Sequence, residues 1–249
     1  MIPYNYFVLD QLRSMRLQMR SIPYRLGNKV ECPICGSKYK AFMPFRYRVN
    51  AYCPSCKSLE RHRLAYIALK EKLGFYEAVP KKVLHFAPDI CLYESIRSSR
   101  YIDYSTADNM TTFTSSITVR PAYVMSIDDI KFENATFDVV IAIGVLVMVV
   151  DNSKALQEIQ RVLKPGGYVV LHDPIDYSRA HSFSDKDISA EERQTLYHGH
   201  DQRWYYGQDY ADRIRAEGLE VEEITAQNID YERYGVSPNE KIYIATKKK

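Results

Sequence analysis

The sequence predicts an α/β chain built on a largely parallel, doubly wound sheet, with a small metal-stapled module ahead of it. Three observations carry this expectation. From residue 81 onward, short apolar runs alternate with segments of helical periodicity, the pattern of strands joined by crossover helices. Before that, two Cys-x-x-Cys pairs stand in a stretch without a long apolar period. The 249 residues, 46% hydrophobic and 26% charged, suffice for one large core and one small module.

In chain order, Tyr4 to Ile22 comes first. It sets Val8, Leu12, Met15 and Met19 at helical spacing, with Arg13, Arg16 and Arg20 on a neighbouring face. Pro23 is expected to end this helix near Ser21 or Ile22. The resulting arm, residues 1–28, either packs on the rest of the chain or lies against an anionic membrane or a phosphate-rich surface. Residues 29–57 form the cysteine module. Residues 58–79 form a linker helix, expected to be capped by Ser58 and stopped at Gly74. Residues 80–249 hold the sheet. Its strands are expected over Lys82–Phe86, Tyr101–Ala107, Tyr123–Ser126, Phe137–Ile143, Tyr168–His172, Leu219–Ile224 and Lys241–Thr246. Helices are expected over Ile90–Ser99, Ser153–Leu163 and Gln208–Glu217, the last stopped by Gly218.

Cys32, Cys35, Cys53 and Cys56 form two knuckles separated by 17 residues, the spacing of a four-cysteine structural zinc site. Four thiolates close the coordination sphere, so the ion is expected to be structural rather than catalytic. Gly36 follows the first knuckle, where a positive φ is useful. Cys91, the fifth cysteine, reads as a small buried hydrophobe. Residues 29–63 are basic, with Tyr39, Phe42, Phe45, Tyr47 and Tyr52 interleaved. That mixture suits RNA, or a small domain at an active-site mouth whose aromatics supply its core.

A net charge of +3 is too mild to imply nucleic acid by itself, so a nucleic-acid partner is the weaker expectation. The longest apolar run, Phe137–Val150, is too short to cross a bilayer. The first twenty residues lack the apolar core of a secretory leader, and a cytoplasmic location is expected.

Ligands of open parallel sheets sit beyond the carboxyl ends of the strands. The turn after the first strand, Val83 to Asp89, has no GxGxxG, which argues against a dinucleotide. The second strand ends near Asp108, an acid placed to accept the two hydroxyls of a ribose, or to cap a turn. Asp128, or the Ser126–Ile127 backbone, is placed to meet an adenine edge.

The run from Ser126 to Pro174, SIDDIKFENATFDVVIAIGVLVMVVDNSKALQEIQRVLKPGGYVVLHDP, resembles the central motifs of class I S-adenosylmethionine-dependent methyltransferases. Cys32–Gly36, Cys53–Cys56, Ser58–Leu64 and Val83–Pro88 also resemble a bacterial group associated with surface-polysaccharide gene sets. The resemblance covers about residues 30–246. It implies a Rossmann-like, seven-stranded sheet with a reversed last strand. It also implies a cofactor pocket near Phe86, Ala87, Asp89, Asp108, Ser126, Ile127, Asp128 and Gly144. Two stretches depart from the pattern. Leu146-Val147-Met148 stands where many relatives carry Leu-Glu-His. In the stretch Asp201–Gly207, similar to a family "DHVRxYG", Gln202 and Trp204 replace the expected His and Arg.

A methyl acceptor bearing a hydroxyl needs orientation and a base. His172, at the end of the fifth strand beside Asp173, is one candidate, and Asp173 could orient it. His198 or His200, in a polar loop with Asp201, is another, and Tyr205 and Tyr206 could line the acceptor. His62 reads as a surface or ribbon-packing residue and His85 as a satisfied core residue. The expected activity is methyl transfer to a hydroxyl of a sugar or similar small polar acceptor. The alternatives are an RNA methyltransferase that grips RNA with the ribbon, and a binding or scaffold protein on a degenerate methyltransferase fold.

Overall fold

In the computed structural model the chain divides into two compact units. Residues 19–109, 119–189, 191–192 and 202–249 are described. One unit runs to Leu73 and takes in Thr225–Glu240; the other comprises Gly74–Ile224 and Lys241–Lys249.

The first unit opens with helical residues 19–25, so the helix continues through Pro23 instead of ending before it. Arg25 Nε donates to Ser21 Oγ, one turn back, at 2.8 Å, which closes that last turn despite the missing proline N–H. Most of the expected arm, with Arg13 and Arg16, lies outside the described residues. Two antiparallel pairs follow: β1 (Val30–Glu31) with β2 (Lys38–Tyr39), and β3 (Met43–Phe45) with β4 (Arg48–Tyr52). Helix α1 (Glu60–Ile67) runs into a wider π turn, Ala68–Lys72.

Its N-cap is Leu59, not Ser58. The Ser58 hydroxyl turns to the cysteine sulfurs, 3.4 Å from Cys32 and 3.2 Å from Cys56. His62 takes over the capping duty: its Nδ1 accepts the Leu59 N–H at 3.1 Å, and its ring is buried rather than on the surface.

Buried Arg63 holds this unit together. Its guanidinium donates to the carbonyls of Ala51, Ser58, Tyr234 and Gly235 at 3.0, 3.0, 2.7 and 2.5 Å. It also lies 4.2 Å from the Phe42 ring centroid. These bonds explain why Thr225–Glu240 belongs with the cysteine module, although the sequence reading assigned that stretch to the sheet domain.

The second unit contains β5 (Lys81–Phe86), α2 (Ile90–Arg97), β6 (Ile102–Asp108), β7 (Tyr123–Val124), β8 (Phe137–Ile143), α3 (Asn152–Val162) and β9 (Leu163–His172). It continues with β10 (Phe183–Ser184), β11 (Trp204–Tyr205), α4 (Tyr210–Ala216), β12 (Leu219–Thr225) and β13 (Lys241–Lys247). Seven strands form one sheet in the order β12-β13-β9-β8-β5-β6-β7. Strands β7, β6, β5, β8 and β9 are parallel, and β13 runs antiparallel to β9. The expected sheet and its reversed strand are therefore present.

Strand β9 begins at Leu163, five residues earlier than expected: Leu163 pairs with Phe137, and Lys164-Pro165-Gly166-Gly167 bulges out before Tyr168 pairs with Val139. Lys164 Nζ contacts both Asp138 oxygens at 2.8 Å, and Asp138 Oδ2 also accepts the Lys82 N–H at 2.7 Å. The Phe-Asp and Leu-Lys-Pro-Gly-Gly motifs thus clamp the starts of β5, β8 and β9, at the edge opposite the candidate site.

Candidate functional site

The strand order reverses between β5 and β8, which makes their carboxyl ends the switch point where ligands of such sheets bind. Both turns there take left-handed backbone: Ala87 has φ 46° and Gly144 φ 72°. A Cβ added at Gly144 would meet nothing within 4 Å, so the space in front of this turn is open. The Gly144 N–H donates to the His172 carbonyl at 2.6 Å, fixing the ends of β8 and β9 together.

The eight candidate cofactor residues lie along this edge. Phe86 ends β5 with its ring buried; Ala87 is exposed, and Asp89 is the N-cap of α2. Asp108 ends β6, half-buried, and its carbonyl accepts the Met125 N–H at 3.1 Å. Ser126 and Asp128 are half-buried and Ile127 is buried, in a turn closed by Asp129 N–H to Ser126 O at 3.2 Å.

The segment that follows this turn, Ile130 to Asn134, is gripped from α3 by residues the sequence reading passed over. Glu158 Oε2 accepts the Ile130 N–H at 2.9 Å. Arg161 donates to the carbonyls of Ile130 and Phe132, each at 2.8 Å, and to Asn134 Oδ1 at 2.9 Å. Glu158 and Arg161 pair with each other at 2.7 and 2.8 Å. The hydrogen bond from Arg161 holds the Glu158 carboxyl below its ordinary value, against the opposing effect of burial. An Arg in the last helical turn was the available signal, since it can reach carbonyls of a neighbouring loop.

Among the candidate bases, His172 is buried at the end of β9. Beside it, Asp173 accepts the Val147 N–H on Oδ1 at 3.0 Å and the Tyr210 hydroxyl on Oδ2 at 2.8 Å. Asp173 therefore anchors the Leu146–Met148 turn to α4. His198, His200 and Asp201 lie outside the described residues.

The two stretches that depart from the methyltransferase pattern meet here. The Arg203 N–H donates to the Val147 carbonyl at 2.8 Å. Buried Asn152 accepts from the Tyr206 hydroxyl and the Trp204 indole N–H, each at 2.7 Å, and donates to the Leu146 carbonyl at 2.9 Å. Trp204 stacks on Tyr206, Tyr206 meets Tyr210 edge-on at 4.6 Å, and Tyr210 meets Tyr243 at 4.9 Å. Tyr206 is thus a core residue, its hydroxyl pKa pushed well up by burial. Half-buried Tyr205 points the other way and stacks on Phe183 at 5.1 Å, with Arg179 over the Phe183 ring. His85, buried, bonds Tyr104 through Nδ1 at 2.7 Å. Cys91 is buried, as expected.

In the first unit, the four cysteine sulfurs lie within 4.8 Å of one another. Cys32 and Cys56 are 3.5 Å apart, Cys35 and Cys53 3.8 Å. A tetrahedron with metal–sulfur bonds of about 2.3 Å has edges of about 3.8 Å, so this donor set fits one tetrahedral ion. The two knuckles have the same construction. Cys32 N–H bonds Ser37 O and Gly36 N–H bonds Cys32 O; Cys53 N–H bonds Ser58 O and Lys57 N–H bonds Cys53 O, all at 2.8–3.0 Å.

Comparison with known proteins matches residues 91–171 to a methyltransferase domain family. A sterol 4-C-methyltransferase, strm-1, of Caenorhabditis elegans is 44% identical over 70 residues, which cover 27% of this chain and 19% of that protein. The YcgJ protein of Bacillus subtilis superposes with a TM-score of 0.50 at 14% identity, covering 76% of this chain and 99% of that one. A 1,6-didemethyltoxoflavin-N1-methyltransferase of Burkholderia thailandensis, bound to its substrate and S-adenosylhomocysteine, gives 0.48 at 14% identity, over 76% and 79%. Among the described residues no helix is long and apolar enough to cross a membrane. The stretch from Cys91 to Leu171 carries the sequence pattern of a methyltransferase domain, and the seven-stranded sheet that contains it has the methyltransferase fold.

Proposed function

We propose that the chain transfers a methyl group from S-adenosylmethionine to a hydroxyl of a sugar or similar small polar acceptor. The observation that carries the cofactor half is the switch-point edge, where Ala87 and Gly144 end neighbouring strands and Gly144, Asp108 and the Ser126–Asp128 turn fall within the stretch similar to a methyltransferase domain. When bound there, S-adenosylmethionine supplies a methyl carbon already activated by a sulfonium. Asp108 accepts the ribose hydroxyls, and the Ser126–Asp128 turn meets the adenine edge. The open space before Gly144 lets the backbone approach the ligand closely.

The acceptor oxygen must be held in line with the methyl carbon and relieved of its proton. His172, at this edge, takes that proton on a ring nitrogen. The stacked Phe183 and Tyr205 rings supply a flat apolar surface of the kind that sugar faces pack on, which supports the acceptor class. The cysteine module holds one structural Zn2+ through Cys32, Cys35, Cys53 and Cys56. The thiolates suit a reducing, cytoplasmic setting.

Calorimetric titration of the zinc-replete chain with S-adenosylmethionine and S-adenosylhomocysteine tests the reading. Micromolar binding that weakens at least tenfold in Asp108→Ala is expected. A folded sample that binds neither ligand sinks it. Binding without transfer to any acceptor favours a cofactor-binding scaffold, a reading that the packed Val147 and Trp204 positions support.

A further inference from the structure

We propose that the first unit docks on an anionic lipid bilayer through two apolar prongs set among basic side chains. The first prong is the stretch of residues 19–26. Met19 and Ile22, one turn apart on the helix, and Leu26 just past its end are 61%, 60% and 83% exposed, so these apolar side chains face solvent. Arg20 and Arg25 beside it are exposed too. The second prong is the β3–β4 hairpin tip, where Tyr47 in the turn is 91% and Val49 in β4 is 83% exposed.

The second turn is held against its own backbone preference. Phe45 pairs with Arg48, which leaves a two-residue loop, and its first residue, Arg46, has φ 55°. Glycine or asparagine is favoured in that conformation. The exposed Arg46 guanidinium lies 5.8 Å from the Phe45 ring centroid, beside exposed Tyr47, so the tip of this turn presents a cation and an aromatic ring together. The segments that carry the prongs are tied to one module at their bases: Lys40 N–H bonds Tyr24 O at 2.9 Å, and Phe42 N–H bonds Asn50 Oδ1 at 2.7 Å.

Charge selects the partner. Residues 19–63 hold ten Lys and Arg against two acids, in a chain whose net charge is only +3. Both acids are paired, Glu31 with Arg233 and Glu60 with Arg48. Exposed Lys29, Lys40 and Arg46 are left to meet an anionic surface. Four of the five exposed apolar side chains are aliphatic or thioether, with no ring on which a base could stack. Such side chains gain by entering the acyl boundary of a bilayer, while the basic groups meet its headgroups. A lipid surface therefore fits better than a nucleic acid, and the proposal stands independently of methyl transfer.

Co-sedimentation of the full, zinc-replete chain with vesicles of phosphatidylcholine, with and without phosphatidylglycerol, tests it. Binding is expected only with phosphatidylglycerol. It should fall about tenfold in Arg46→Glu, and at least tenfold in Ile22→Ser/Leu26→Ser and in Tyr47→Ser/Val49→Ser. These sites are exposed, so circular dichroism should show the variants folded. Absence of binding to anionic vesicles, equal binding to neutral ones, or indifference to both apolar variants overturns the proposal. So does displacement from vesicles by single-stranded RNA at lower phosphate concentration than the lipid.

Discussion

The Val147 carbonyl accepts the Arg203 N–H at 2.8 Å, and this bond joins the two places where the chain departs from the methyltransferase pattern. Leu146-Val147-Met148 and the stretch around Trp204 lie far apart in sequence but form one packed corner, with Asn152 bonded to both Leu146 and Trp204. The two stretches therefore form one structural unit: an apolar, aromatic packing stands where the resemblance to class I methyltransferases implied His, Glu and Arg. Trp204→Ala should cost about 3–5 kcal/mol, through the lost ring and the Asn152 oxygen left short of a donor. Val147→Glu buries a carboxylate and should cost about as much. In chemical denaturation the double variant should be less destabilised than the sum of the two, because both open the same corner. Strict additivity would show the two stretches to be independent.

The grip of α3 on the segment that follows the candidate adenine turn gives a second expectation. Arg161→Ala frees the Ile130 and Phe132 carbonyls and leaves Glu158 unpaired, at a stability cost of about 1–2 kcal/mol. Its larger effect should be on S-adenosylhomocysteine affinity, weakened about tenfold, because the Ser126–Asp128 turn loses its support. Arg161→Lys restores charge but cannot bridge two carbonyls and a carboxylate, so it should rescue little. Unchanged affinity in Arg161→Ala would show that the turn holds itself.

The same pair predicts an acid limb. The Glu158 pKa is lowered in the fold from its ordinary 4.5, chiefly by its hydrogen bond to Arg161. Its stabilising contribution is therefore full above about pH 4.5 and is lost as pH falls through the lowered folded value. Wild type should lose stability across that window more steeply than Glu158→Gln. Parallel stability–pH curves would count against the pairing.

Arg63 is a test of the first unit. Four buried carbonyls, of Ala51, Ser58, Tyr234 and Gly235, depend on one guanidinium. Burial pulls the Arg63 pKa down, while nearby Cys32 and Glu60 act in the opposite direction. Arg63→Met removes the charge at similar volume but leaves those carbonyls unsatisfied, at a cost of about 3–5 kcal/mol. Hydrogen exchange should quicken in residues 30–63 and 226–240 together. Loosening of one stretch alone would show that Arg63 does not join them.

Much of this architecture was legible because strands and helices write different periods. The parallel strands follow from buried runs such as FDVVIAI alternating with helical segments, while the reversed β13 came only from the resemblance to class I methyltransferases. The cysteine quartet was legible from spacing. Long-range polar bonds were not. Ser58 reads as a helix cap until the sulfurs are brought beside it, and Asp173 shows no sequence sign of its bonds to Val147 and Tyr210. The assignment of Thr225–Glu240 to the cysteine module rests on carbonyls of Tyr234 and Gly235, which have no side-chain signature at all. The KPGG run, expected only to end the helix, joins β9 as a bulge, as glycine and proline in a strand often do; Lys164 is held to Asp138, and Leu163 pairs with Phe137.

The matched knuckles offer the last prediction. Gly36 and Lys57 occupy the same place after the second cysteine of each pair, with φ of 70° and 65°. Their N–H groups bond the carbonyls of Cys32 and Cys53 in the same way. Glycine adopts this conformation freely, whereas a side chain meets its own backbone there. A Cβ at Gly36 would touch nothing within 4 Å, so Gly36→Ala isolates the conformational cost, about 1 kcal/mol. Lys57→Gly relieves the same strain. It should stabilise the unit by about 0.5–1 kcal/mol, less whatever the freer unfolded chain takes back. Melting of the zinc-loaded protein under a fixed chelator concentration should order the three forms as Lys57→Gly, wild type, Gly36→Ala, from highest to lowest. Equal loss in both variants would mean that the Lys57 side chain makes a contact outweighing its backbone strain.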